Sequence, residues 1–225
     1  MKKILVFLLL MSAAMAAFAD THYKSQIFVG GRAGVSMGMM SFSPSVKQSW
    51  NMGTTGAVSV RYTEEKLFGI VAELGWVTRG WKENFEEAPL SYSRSLTYLN
   101  LPVMTQIRFG SRRFKAFINL GPQFAYMIAN SIKSDFDYMN PGSVVGFPSN
   151  RQTEQLKLEI KNKFDYGICA SVGFDFFVQP RHSVLLEARY YYGLGNIFPA
   201  RKADYFSASR NMSLEVTLGY SFRLK

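Results

Sequence analysis

The stretch "NMSLEVTLGYSFRL", residues 211–224, alternates without a break: Met212, Leu214, Val216, Leu218, Tyr220, Phe222 and Leu224 fall on one parity, and Asn211, Ser213, Glu215, Thr217, Gly219, Ser221 and Arg223 on the other. A two-residue period is that of a β-strand with one apolar and one polar face. The rest of the chain then decides whether the apolar face looks into a core or out at lipid.

Seven further segments follow the same rule: 26–37, 53–62, 68–81, 98–109, 114–126, 164–177 and 183–194. Short connections at 63–67, 110–113 and 178–182 alternate with long ones at roughly 38–52, 82–97, 127–163 and 195–210. An even number of strands joined by alternating short turns and long loops is the plan of an up-and-down outer-membrane barrel, with both termini on the short-turn, periplasmic side. The fold read from this is an all-β, eight-stranded antiparallel transmembrane β-barrel. Pro102 and Pro122 fall within strands, where each predicts a bulge or an unpaired ladder position.

The polar parity settles which face points inward. A water-facing strand surface favours lysine, glutamate and threonine, whereas this one carries Gly30, Gly34, Gly69, Gly75, Gly121, Gly167, Gly173 and Gly193. Small residues suit the crowded inside of a narrow barrel. On the apolar parity, Tyr62, Trp76, Tyr126, Tyr192, Tyr220 and Phe222 lie near strand ends, where aromatic girdles mark the membrane interfaces. Trp81, on the other parity, is assigned to the loop rim.

The chain opens "MKKILVFLLLMSAAMAAFAD": Lys2 and Lys3, a short apolar run, then Ala17-Phe18-Ala19. This reads as a signal peptide over 1–19, leaving one domain over 20–225. The formal charge of +10 falls to +8 once Lys2 and Lys3 are removed, with basic residues spread along the chain and no arginine-rich run. Anionic lipid or lipopolysaccharide therefore fits better than nucleic acid as a partner. The lone Cys169 cannot form an internal disulfide and reads as a small side chain in a packed strand.

"FVGGRAGVSM", "YLNLPVMTQIRFG", "FKAFINLGPQFAYMI", "KFDYGICASVGFDF", "EARYYYGLGNIF" and "SLEVTLGYSFRL", in that order and spacing, resemble the PorT-like outer-membrane β-barrel family of Bacteroidota over essentially the whole mature chain. The resemblance implies the outer membrane and the barrel fold, and it brings no shared catalytic motif. For its namesake it implies an association with type IX protein secretion, and for biogenesis the β-barrel assembly machinery. Family members often end on an aromatic residue, whereas here Phe222 is followed by Arg-Leu-Lys.

Inward-parity charges are Arg32, Arg61, Arg79, Arg108, Lys115 and Arg189 against Glu73, Asp165, Asp175, Glu187 and Glu215, six against five. Buried charges of near-equal number are expected to pair, with Glu215 facing Arg32 and Arg189 near mid-height as an ion-pair plug. Eight strands enclose room only for side chains, so a sealed polar core is expected over a conduit. Catalysis is not expected. The two histidines, His22 and His182, fall on the periplasmic side, away from outer-leaflet lipid, and "GGRAG" (30–34) fails the dinucleotide-binding spacing. No cofactor or metal is implied. The remaining candidates are a structural or partner-binding barrel, a secretion accessory and, less favoured, a lipid A-modifying enzyme or narrow pore. In the longest loop "EQLKLEIKNK" (154–163) continues the parity of the strand at Phe164, which predicts a hairpin extension, with a helix, which its Glu, Lys and Leu favour, as the competing reading.

Overall fold

The computed structural model describes residues 25–64, 67–85, 88–148, 151–202 and 204–224. The segment read as a signal peptide and His22 lie outside the described residues. Eight long strands form one closed antiparallel ring: β1 (Gln26–Ser43), β2 (Asn51–Thr63), β3 (Phe68–Glu83), β4 (Tyr92–Gly110), β5 (Phe114–Ser134), β6 (Phe164–Gln179), β7 (His182–Gly193) and β8 (Ala208–Arg223). Each pairs with its sequence neighbours, and β8 closes on β1. A two-residue strand, Gln48–Ser49, adds to the far end of β3.

The register fixes the barrel's shape. Ile27 pairs with Tyr62, and the row continues through Ile70, Thr105, Leu120, Ala170, Tyr190 and Leu214 to return to β1 at Met37, ten residues above its start. With ~3.3 Å per residue and ~4.8 Å between strands, that stagger tilts the strands about 40° from the barrel axis. Every residue of that row faces outward, and so do Val58, Leu74, Val172 and Leu218, each more than half exposed. An apolar belt of this extent is the surface that bilayer hydrocarbon covers.

Each proline interrupts one ladder without a slip in register: pairing between β3 and β4 skips Glu73–Leu74, opposite Leu101–Pro102, and pairing between β4 and β5 skips Val103–Met104, opposite Gly121–Pro122. The missing prolyl N–H accounts for an unpaired position. Bulges occur elsewhere, at Thr97/Tyr98 and Phe177/Gln179.

The strands run past the belt at the long-loop end. β1, β4 and β5 continue six to eight residues beyond the segments read from alternation, and β3 ends at Glu83. Gly80 lets β3 stay paired there: its φ is +120°, and a Cβ would meet the Arg94 carbonyl oxygen at 2.0 Å. The expected hairpin at 154–163 is not present. Glu154–Lys157 forms one helical turn, and the chain has no regular structure from there to Phe164. Leu156 and Ile160, four residues apart, both enter the core beneath the loop, and that contact overrides strand pairing.

Candidate functional site

The interior consists of three polar layers and an apolar cap, each built by inward residues of several strands. All the predicted interior charges point into the barrel, ten of them buried and Lys115 half-buried at the short-turn mouth.

In the layer nearest the short turns, Arg61 and Arg108 converge on one oxygen of Asp175, at 2.7 and 2.8 Å. Arg61 also donates to Ser221, and its guanidinium lies 4.5 Å from the Phe28 ring centroid. Aromatic faces here supply part of the negative potential that carboxylates do not.

The middle layer is centred on Glu73, not Glu215. Arg32 donates to Glu73 Oε2 through Nε and Nη2 (3.0 and 2.9 Å), while Arg189 grips both oxygens of the same carboxylate (2.7 and 2.9 Å). Arg189 also holds Glu187 at 2.7 Å. Glu215 is the ladder partner of Arg189, yet its side chain pairs with Arg32 at 3.6 Å and accepts from the Thr55 hydroxyl. The expected Arg32–Glu215 contact is therefore present. The ion pairs of Arg189 go instead to Glu73 and Glu187, because the stagger lifts Glu215 above the guanidinium it was expected to meet. Bidentate Arg–carboxylate pairs of this kind are the geometry in which a buried charge offsets its desolvation. Below Glu73 a void of about 20 Å³, lined by Arg32, Arg61, Gln106 and Asn119 among others, has room for a water molecule.

In the upper layer Arg79 donates to Asp165 at 3.2 Å and lies 3.7 Å from the Tyr191 ring centroid. Asn211 bridges Asp165 and the Tyr98 hydroxyl. Cys169 packs beneath with Val71, Met104 and Tyr191.

Above these layers the barrel is closed by an apolar plug. Met40, Phe42, Trp81, Leu96, Phe198 and Phe206 form its centre, with Leu156 and Ile160 brought in from the loop. Trp81, expected at the rim, is fully buried, since β3 continues its inward parity past the belt. Three polar contacts tie the loop to the strands: Tyr92 donates to the Leu156 carbonyl, Arg94 to the Leu158 carbonyl at 2.7 Å, and Gln155 to Glu83 at 3.2 Å. Glu83 also accepts from Trp81 and has Arg151 3.8 Å away. It lies seven residues beyond Trp76 on β3, outside the belt, and burial pushes its carboxyl up to about 7 despite those donors and Arg151. Glu83, Arg94, Tyr92, Tyr98 and Tyr191 were not singled out by sequence; the signal available was inward parity carried past the assumed strand ends.

The six aromatics of the apolar parity all face outward, with Tyr192 and Phe222 half-buried and the others exposed. Tyr62, Tyr220 and Phe222 lie at the short-turn end, where the Tyr62 hydroxyl bonds Glu64 and the Tyr220 hydroxyl bonds His182. Trp76 and Tyr126 share a register row through Leu99 at the other end of the belt, where Tyr192 also stands. No helix among the described residues is long and apolar enough to cross a membrane, and none of their His, Cys, Asp and Glu side chains gather as a metal site.

The sequence pattern of the outer membrane protein beta-barrel domain matches residues 18–199. No curated protein matches the chain. Among solved structures, OprG of Pseudomonas aeruginosa is similar at 13% identity, over 89% of this chain and 95% of that one, with a TM-score of 0.48. Neisserial surface protein A is similar at 12% identity over 89% and 99%, with a TM-score of 0.45. Outer membrane protein W of E. coli is similar at 15% identity over 90% and 100%, with a TM-score of 0.41.

Proposed function

We propose a function from one premise: the chain belongs to the outer membrane protein beta-barrel domain family. It acts as a sealed structural or partner-binding barrel of the outer membrane, without catalysis, whose strands carry a rigid platform above the lipid. The observation that supports this reading is the double closure of the lumen, by the Glu73-centred ion layer and by the apolar plug around Trp81. A plug that packs the longest loop onto the strand ends has the form of a surface built to be recognised, since recognition on a barrel is carried by loops held on a rigid scaffold. In this reading both termini and the short turns are periplasmic, residues 1–19 are removed on export, and the assembly machinery inserts the barrel.

A second reading, an accessory role in type IX protein secretion, is supported by the PorT-like resemblance of the segments from "FVGGRAGVSM" to "SLEVTLGYSFRL". Light crosslinking in the native outer membrane, extraction in mild detergent and mass spectrometry of what is recovered separate the two. Recovery alone, or with surface molecules, is the result expected for a free-standing barrel. Recovery with secretion-machine subunits would replace it with the accessory reading.

A further inference from the structure

Among the described residues, the short-turn mouth carries more basic side chains than carboxylates. Arg61 and Arg108 both draw on one oxygen of Asp175. Lys115 is the ladder partner of Asp175 on β5, faces the lumen half-buried, and has no ion pair among the described residues. Arg223, unremarked in the interior set, has the same inward parity on β8 and is the ladder partner of Phe28, whose ring the Arg61 guanidinium covers. These four cations thus approach the lumen from β2, β4, β5 and β8. Arg61, Arg108 and Arg223 all act electrostatically on Lys115, with Asp175 the carboxylate among them.

The rim adds to the imbalance. The Arg113 carbonyl accepts the Phe177 N–H and the Arg181 carbonyl accepts the Arg223 N–H, which fixes two further basic residues in the turns beside the mouth. Glu64, the other described carboxylate at this end, is engaged on the outer face by the Tyr62 hydroxyl. Charge held in low dielectric without a counter-charge is costly, and several N–H donors approaching from separate walls match an oxyanion with oxygens in several directions.

We propose that this mouth is an anion-binding site that takes a phosphate group, with Lys115 and Arg223 as its principal ligands. The barrel itself, in an uncharged detergent, is the material for the test. Its unfolding midpoint is followed by heat-modified gel mobility and tryptophan fluorescence while inorganic phosphate replaces chloride at constant ionic strength. The midpoint is expected to climb with phosphate, as ligand linkage requires. Lys115→Gln and Arg223→Gln are each expected to weaken the apparent affinity at least about tenfold. Lys115→Glu supplies the missing carboxylate, so it is expected to raise the midpoint in chloride and abolish the response to phosphate.

A wild-type midpoint that phosphate leaves where chloride does overturns the proposal, as does an undiminished response in both glutamine variants. Arg223 lies at the strand end, so Arg223→Gln keeps the test decisive if changes at Lys115 impair assembly. Nanodiscs of phosphatidylcholine and of phosphatidylglycerol then separate the sources. Stabilisation by phosphatidylglycerol alone assigns the phosphate to an inner-leaflet headgroup, and stabilisation by free phosphate in phosphatidylcholine assigns it to a soluble anion. Stabilisation by neither rejects the site.

Discussion

Glu73→Gln keeps the shape of the side chain at the centre of the middle layer and removes its charge. Four donor contacts converge on the two carboxylate oxygens, two from Arg32 and two from Arg189. Whichever way the amide is turned, its NH2 must face a guanidinium. Removing one partner from a buried ion pair costs about 3–5 kcal/mol. The lower end applies here, because Arg189 keeps Glu187 at 2.7 Å and Arg32 keeps Glu215 at 3.6 Å. About 3 kcal/mol corresponds to a folded-to-unfolded ratio lower by about 10². The assay is urea unfolding in lipid vesicles, read by tryptophan fluorescence and by gel mobility before and after boiling. Glu159→Gln, an exposed loop acid, is the control. Glu215→Ala is expected to fall between them, since it loses one looser pair and one hydroxyl contact. Adding Arg32→Gln to Glu73→Gln is expected to recover part of the loss, because the pair rather than the acid alone sets the cost. Equal midpoints for Glu73→Gln and Glu159→Gln would refute the view that this layer holds the barrel together.

Three other outcomes follow from the cap. Glu83 has a folded-state pKa of about 7, above that of an ordinary carboxylate, so the folded cap binds more protons than the unfolded one between roughly pH 4.5 and 7. Its stabilising contribution is complete below that window and lost as pH rises through about 7. Cleavage of the 135–163 loop by a protease active at both values should therefore be slower at about pH 5 than at pH 8, and Glu83→Gln should remove the difference. Trp81→Ala empties the centre of the plug, a change worth about 3–5 kcal/mol in a packed core; loop proteolysis should accelerate while boiling-dependent gel mobility stays as in wild type. Gly80→Ala places a Cβ against the Arg94 carbonyl at a φ of +120°, and is expected to lower cap stability by more than about 1 kcal/mol. Hydrogen exchange at 92–96 measures that loss, and unchanged protection there would count against the close β3–β4 contact.

Two-residue alternation carried the barrel's course through the membrane because the two environments differ so sharply. Leu214 faces hydrocarbon, Glu215 faces a packed polar lumen, and no intermediate placement satisfies both. Parity carries no height, however. Arg32, Glu73 and Arg189 meet from β1, β3 and β7 because of a ten-residue stagger, and the sequence does not print a stagger. Glu215 therefore looked central from its ladder neighbours, while the stagger gave that place to Glu73. Trp81 illustrates a second limit: the inward parity of β3 was legible, but the extent of the strand past the belt was not. At 154–163 continued parity favoured the strand over the helix, and it carried no sign that Leu156 and Ile160 would turn into the cap instead. At the short-turn mouth, the near-even count of six against five left out Arg223, which shares the inward parity of β8.

A lumen closed twice conducts no ions, and single-channel recording in planar bilayers reads that closure. Wild-type protein, and a variant with residues 144–160 replaced by a short glycine-serine linker, are recorded side by side. No steady current is expected from either, because the Glu73 layer closes the lumen even when the plug is disturbed. Steady, ohmic steps from the wild type would contradict that closure, and steps from the loop variant alone would place the whole seal in the cap.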